Sequence, residues 1–193
     1  MLPVARTGIL ISKNNMMKRI AIILFFAVQF LGCEQPSSQS SNESKLVAWW
    51  VDVQFVPSDT KINGIHIDAI ETDWTGAKRL NRNDVTKIVS PTELAEFEQS
   101  PFKFDSLMDV DKDGIEEHFF VGVYKTAKST GRFLLVEKNN KIVAKFQRDG
   151  IPGFSALLKY NGELRWYKCM LCGDYEKIVM ANGNYLLIEE ETD

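Results

Sequence analysis

The chain has 193 residues, with 23 Lys+Arg against 26 Asp+Glu, a formal net charge of −3 and 45% hydrophobic residues. That balance excludes a wholly disordered chain, a collagen-like fibre and a polytopic membrane protein. Without a basic excess it argues against nucleic acid as a partner, and three cysteines are too few for a disulfide-stapled miniprotein.

The N-terminal stretch differs from the rest. Arg6, Lys13, Lys18 and Arg19 are the only charges before Glu34, and all are positive. An apolar run from Ile20 to Leu31 follows, broken only by Gln29. It is too short to span a bilayer, which takes about 20 residues. A basic start, an apolar run, a small residue and then a polar stretch read as a secretory signal. Residues 1–32 are therefore expected to be a signal peptide, with Met16 or Met17 as an alternative true start.

The run ends in Phe30-Leu31-Gly32-Cys33, which resembles the lipobox of bacterial lipoproteins. Gly32 and Cys33 match its small residue and its cysteine, whereas Phe30 stands where an aliphatic residue is usual. The resemblance implies that Cys33 carries acyl chains, palmitate among them, and becomes the mature N-terminus. It also implies a lipid-anchored place in the bacterial cell envelope. Glu34 at the next position implies the outer membrane in a Gram-negative cell, facing the periplasm or the cell surface. An ordinary cleaved signal that leaves Cys33 as a free thiol is the alternative. Gln35-Pro36-Ser37-Ser38-Gln39-Ser40-Ser41-Asn42 offers little to bury, so residues 33–44 read as an anchor cysteine on a flexible polar tether. Such an anchor holds a protein on a membrane surface without a spanning helix. Loss of residues 1–32 removes those four positive charges and no acidic group, taking the net charge from −3 to −7.

Residues 45–193 read as one mainly β domain: an antiparallel meander or sandwich, or an open barrel-like wrap, with one short helix. Leu46 to Val56 is rich in β-branched and aromatic residues and is expected to be a strand, which places Trp49 and Trp50 on opposite faces. Ile62 to Ile70 is a second expected strand, and Trp74 to Val89 is mixed. The helix begins at Ser90-Pro91-Thr92-Glu93, which supplies an N-cap serine, a proline at the first helical position and a glutamate at the third. It should end near Gln99, before Pro101. Expected strands then follow at His118–Lys125, Arg132–Lys138, Lys141–Gln147, Ser155–Tyr160, Glu163–Met170, Glu176–Met180 and Tyr185–Glu189. Asn139-Asn140, Asn161-Gly162 and Asn182-Gly183 supply hairpin turns, because Asn and Gly accept positive φ.

The most specific chemistry lies in Asp109-Val110-Asp111-Lys112-Asp113-Gly114-Ile115-Glu116-Glu117. Calcium takes six to eight oxygens at about 2.3–2.6 Å. Asp109, Asp111 and Asp113 would offer side-chain oxygens, and Gly114 permits the sharp turn. Ile115 would offer its carbonyl while its side chain anchors in the core, and Glu117 would close the site directly or through water. The loop resembles the calcium loops of EF-hand-like proteins, and more closely those of integrin-type and FG-GAP β-propeller repeats, in which a strand follows at once. It departs from a true EF-hand, because Phe120 occupies the twelfth position and no helix pair flanks it. The resemblance covers one copy and implies a structural calcium ion rather than a regulatory switch. The alternative is an Asp-rich turn without metal, disfavoured by repulsion among three spaced aspartates.

Cys169 and Cys172 form a second constellation, open to a local disulfide or plain thiols, half of a zinc site, or a redox pair. Only His66 and His118 are available to complete a zinc site, and their spacing does not pair them. Ser58-Asp59-Thr60-Lys61 fits S-x-x-K but lies between strands. Asp68, Glu71 and Asp73 read as a solvated turn. Trp49, Trp50, Trp74, Trp166 and Tyr167 are expected mostly in the core, with sugar stacking as the alternative. No catalytic residue emerges. The expectation is a membrane-tethered, calcium-stabilised binding or structural module that meets an envelope protein or glycan. The alternatives are a small envelope hydrolase, or a thiol or zinc protein centred on Cys169 and Cys172.

Overall fold

The computed structural model describes residues 48–170 and 172–189. The expected signal peptide, Cys33 and the tether lie outside them. The described domain is mainly β, with antiparallel sheets, short helices and no closed barrel. In chain order its elements are α1 Trp49–Asp52, β1 Lys61–Ile62, β2 Ile65–His66, α2 Ile67–Ile70, β3 Trp74–Arg79, α3 Arg82–Thr86, α4 Pro91–Gln99, β4 Asp105–Met108, β5 Glu117–Thr126, β6 Thr130–Lys138, β7 Lys141–Asp149, β8 Ala156–Tyr160, β9 Glu163–Tyr167, β10 Tyr175–Ala181 and β11 Asn184–Glu189. No helix among the described residues is long and apolar enough to cross a membrane.

One sheet runs β3-β5-β6-β7, with β4 also paired to β5. The other runs β11-β10-β9-β8. Alternation along β5 and β6 explains how the layers stack. Phe119, Val121, Val123, Leu134 and Val136 face a core shared with Leu157, Leu164, Trp166 and Ile178 of the second sheet. Phe120, Tyr124, Phe133 and Leu135 face the other way, onto Ile62, Ile67 and Trp74. The central strands are thus covered on both faces, which is why they read as nearly continuous apolar runs.

The hairpins follow their turn chemistry. Asn139 and Asn140, Asn161 and Gly162, and Asn182 and Gly183 all have positive φ. They close the pairs Lys138↔Lys141, Tyr160↔Glu163 and Ala181↔Asn184. The helix α4 forms with its capping box: the Glu93 N–H donates to Ser90 Oγ at 3.3 Å, and the Ser90 N–H donates to Glu93 Oε2 at 2.7 Å. That short helix is held by Phe97, which packs against Trp49, Phe104 and Phe154.

Three expectations differ from the structure. Leu46–Val56 is not a strand at Trp49–Asp52, where it makes a helical turn. Trp49, Trp50 and Val53 are buried while Val51 and Asp52 are exposed, a helical rather than an alternating spacing. Both tryptophans therefore enter one core, edge to face at 5.9 Å between ring centroids. The span Ile62–Ile70 is broken by Asn63-Gly64, whose φ values of 50° and 83° fold it into the β1–β2 hairpin, and it ends as α2. The mixed stretch from Trp74 resolves into β3 and α3, the latter capped by Asn81 and Asp84. Finally, the described residues contain four helices rather than one, and β4 adds a strand where none is expected.

Candidate metal centre

The acidic loop connects β4 to β5. Met108 pairs with Glu117, so Asp109 leaves one strand as Glu117 enters the next. Positive φ at Lys112 and Gly114, 61° and 89°, turns the intervening backbone back on itself. The turn is then held by its own carboxylates. Asp109 Oδ1 accepts the Asp113 N–H at 3.1 Å, and Asp109 Oδ2 accepts the Gly114 N–H at 3.0 Å. Asp111 Oδ1 accepts the Asp113 N–H at 3.2 Å. Asp113 Oδ1 accepts the Ile115 N–H at 3.0 Å.

Asp109, Asp111, Asp113 and Glu117 each place a carboxylate oxygen within 4.8 Å of the others. Among the described residues this is the only such group of three or more His, Cys, Asp or Glu side chains. Glu117 forms its floor: fully buried, it accepts the Val110 N–H at 2.8 Å on Oε2. Ile115 differs from expectation. Its side chain is 48% exposed and does not anchor in the core. Val110 is the loop side chain that packs against the core, and the backbone turns at Gly114, φ 89°, immediately before Ile115.

A residue absent from the sequence reading completes the cluster. The Lys138 ammonium donates to Asp111 Oδ2 at 2.6 Å and to Glu117 Oε1 at 2.8 Å, and lies 2.8 Å from Asp113 Oδ2. Lys138 ends β6, one step beyond the His118↔Glu137 pair, so strand register delivers it opposite Glu117. Burial works against the charged ammonium, but hydrogen bonds to Asp111, Asp113 and Glu117 outweigh it and raise the Lys138 pKa. The Lys138 hydrogen bond in turn holds the Asp111 carboxyl below its ordinary value. Tyr185 reaches in from β11, its hydroxyl 3.4 Å from Asp111 Oδ2. Burial first, and then the charges of Glu117 and Asp111, push its phenol upward. Three of the four carboxylates thus share one ammonium, leaving a net negative bowl.

A cavity of about 370 Å³ opens beside this bowl. Asp111, Lys138, Lys145 and Tyr185 line it together with Phe146 and Met180.

The remaining candidates do not converge on it. Cys169 and Cys172 are joined as a disulfide, their Cα atoms 5.7 Å apart. Among the described residues no histidine or carboxylate joins them in a metal-holding group. His118 lies beside Asp105 and Arg79 instead, and His66 is exposed in β2. Ser58 hydrogen-bonds Asp59 in an exposed bend ahead of β1, with no helix start. Glu71 pairs with Lys145. Trp49, Trp50, Trp74, Trp166 and Tyr167 are all buried, so none offers a face to a sugar. No protein-family model matches the chain, and no curated protein or solved structure matches it either.

Proposed function

We propose that this chain is a lipid-anchored protein of the bacterial cell envelope, with a β domain pinned by one calcium ion. It serves as a binding or structural module that meets an envelope protein or glycan. The observation that carries the calcium reading is the convergence of four carboxylates, one of them buried, on a space that a single ammonium leaves undercompensated. Hard oxygen ligands around an acidic turn are what calcium selects. Asp109, Asp111, Asp113 and Glu117 supply side-chain oxygens, and the Ile115 carbonyl is the proposed backbone ligand. The ion would tie the β4 end of the loop to the start of β5.

Thermal unfolding of residues 33–193, carrying Cys33→Ser, tests the metal. Calcium at a hundredfold excess over its dissociation constant should stabilise the native state by about 2.7 kcal/mol. That corresponds to a rise of roughly 5–10 °C in Tm for a chain of this size. Magnesium should do less, because it demands a tighter octahedral shell. A midpoint that is the same in millimolar calcium and in chelator would show the loop to be a metal-free turn. The anchor has its own test. Cys33→Ala should move the protein from the membrane fraction to the soluble fraction, and unchanged membrane attachment would refute the lipoprotein reading.

A further inference from the structure

Among the described residues the three most exposed large apolar side chains are Val56, Val51 and Ile151, at 72%, 63% and 53%. They are not scattered. The Phe55 N–H donates to Pro152 O at 2.8 Å, so Val56 and Ile151 flank one backbone hydrogen bond. A Cβ placed on Gly153 would stand 3.0 Å from Val53 O and 3.5 Å from Ile151 Cγ2. Residues 53–58 therefore run beside 151–153. Val53, Phe55 and Pro57 are buried there, while Gln54, Val56 and Ser58 are exposed. Val51 comes just before, on α1, where Trp49 and Trp50 take the core and leave Val51 outside.

Single apolar side chains on a surface need no explanation. Three neighbours at the point where the chain enters the domain do. The described residues begin at Ala48, which comes fifteen residues after Cys33. The same end of the domain lies far from the acidic bowl. Ile151 follows Asp149 at the end of β7, which pairs with Gly131, whereas Lys138 of the bowl pairs with Lys141 at the start of that strand.

We infer that Val51, Val56 and Ile151 form a foot that seats the domain on the lipid bilayer holding the Cys33 anchor. The inference rests on the lipoprotein reading and is independent of the calcium reading. The position of the patch in the chain selects the occupant. Fifteen residues reach at most about 50 Å when fully extended, and as a flexible coil they average about 20 Å end to end. A lipid on Cys33 therefore keeps the entry to the domain close to the bilayer. Seating this end leaves the tether relaxed, whereas seating the bowl end would stretch it. Three aliphatic side chains hold too weakly to bring a free protein to a membrane, so the tether must supply the effective concentration. Asp52, exposed beside Val51, keeps the contact shallow, at the level of the headgroups. Seated this way, the domain presents the acidic bowl away from the membrane.

Depth-dependent quenching tests the seating. The full-length chain, expressed in a bacterium, is reconstituted into phosphatidylethanolamine–phosphatidylglycerol vesicles that contain a doxyl-labelled lipid. Cys169 and Cys172 are disulfide-bonded and Cys33 would be acylated, so an introduced cysteine takes a bimane label alone. The substituted positions are exposed, and unchanged Tm confirms that the variants fold. A label on Val56→Cys should lose about half its fluorescence or more. A label on Val143→Cys, about 20 Å back along β7 from Asp149, should lose little. With the label on Ile151→Cys, adding Val56→Asp should restore most of the fluorescence while the protein still floats with the vesicles. That arm separates seating from mere nearness imposed by the tether. Flotation without quenching at Val56→Cys overturns the proposal. So does equal quenching at Val143→Cys, or quenching at Ile151→Cys that Val56→Asp leaves unchanged. An unquenched Val56→Cys that forms a disulfide-linked dimer on mild oxidation would give the patch to a second copy and overturn it as well. Protein that does not float at all refutes the lipoprotein reading, and the seating with it.

Discussion

Replacing Lys138 by Met is expected to lower stability in chelator and to tighten calcium binding roughly tenfold or more. Both effects come from the same charges. Among the described residues the Lys138 ammonium is the one cation paired with Asp111, Asp113 and Glu117, and its removal in chelator leaves those carboxylates to repel one another. With calcium present, the ammonium is a like charge competing for the same oxygens. Removing a unit charge a few ångströms from the ion favours binding by at least the factor given. The two effects add in the melting curve, so the difference in Tm between calcium and chelator should be larger for Lys138→Met than for the parent. Calcium titration followed by calorimetry gives the affinity directly. A smaller calcium-induced rise in the variant would mean that Lys138 supports the ion rather than substituting for it, and would reverse the assignment.

The second large effect is expected at Gly122. This residue pairs with Phe133 across the β5–β6 seam and with Arg79 across the β3–β5 seam. A Cβ placed on it would come within 2.2 Å of Phe133 Cζ and 2.3 Å of Lys78 O. The ring can rotate in part, but the Lys78 carbonyl belongs to a strand and cannot yield without moving β3. Gly122→Ala should therefore cost about 1–3 kcal/mol by overpacking. Gly162→Ala is a useful contrast. Nothing lies within 4 Å of a Cβ there, and the cost comes from its φ of 77° alone. Chemical denaturation of both variants compares them. If Gly122→Ala unfolds at the parent midpoint, the layer of Phe133 over β5 is looser than its burial indicates.

Much of this architecture can be read from local signals. Ser90-Pro91-Thr92-Glu93 announces α4, and two-residue asparagine turns announce the hairpins from β6 onward. Those features are decided by neighbours in sequence, so sequence exposes them. Asn63-Gly64 carries the same signal, but the apolar residues on either side masked it as one strand. The helical turn at Trp49 was hidden because strand preference and helical spacing conflict there, and packing of both tryptophans into one core decided the outcome. The acidic residues of the bowl were legible, since their alternation and Gly114 lie within one short stretch. Lys138 was not. It arrives through the pairing of β5 with β6, a long-range relation that no local motif encodes. The outward turn of Ile115 was equally hidden, because which apolar side chain of the loop meets the core, Val110 or Ile115, is decided by tertiary packing.

The divided edge of β5 has a consequence for local opening. β3 pairs with the far part of β5, Gly122 to Thr126, and β4 with the near part, Glu117 to Phe120. The chain leaves the sheet between them to form α3 and α4. The four residues of β4 can therefore detach while β3 stays paired, and they carry the first limb of the acidic loop with them. Such small units open at a lower free energy than the whole domain. An ion bridging Asp109 to Glu117 would act on that local equilibrium first. Its effect would be to bring this short strand up to the protection of the sheet it borders.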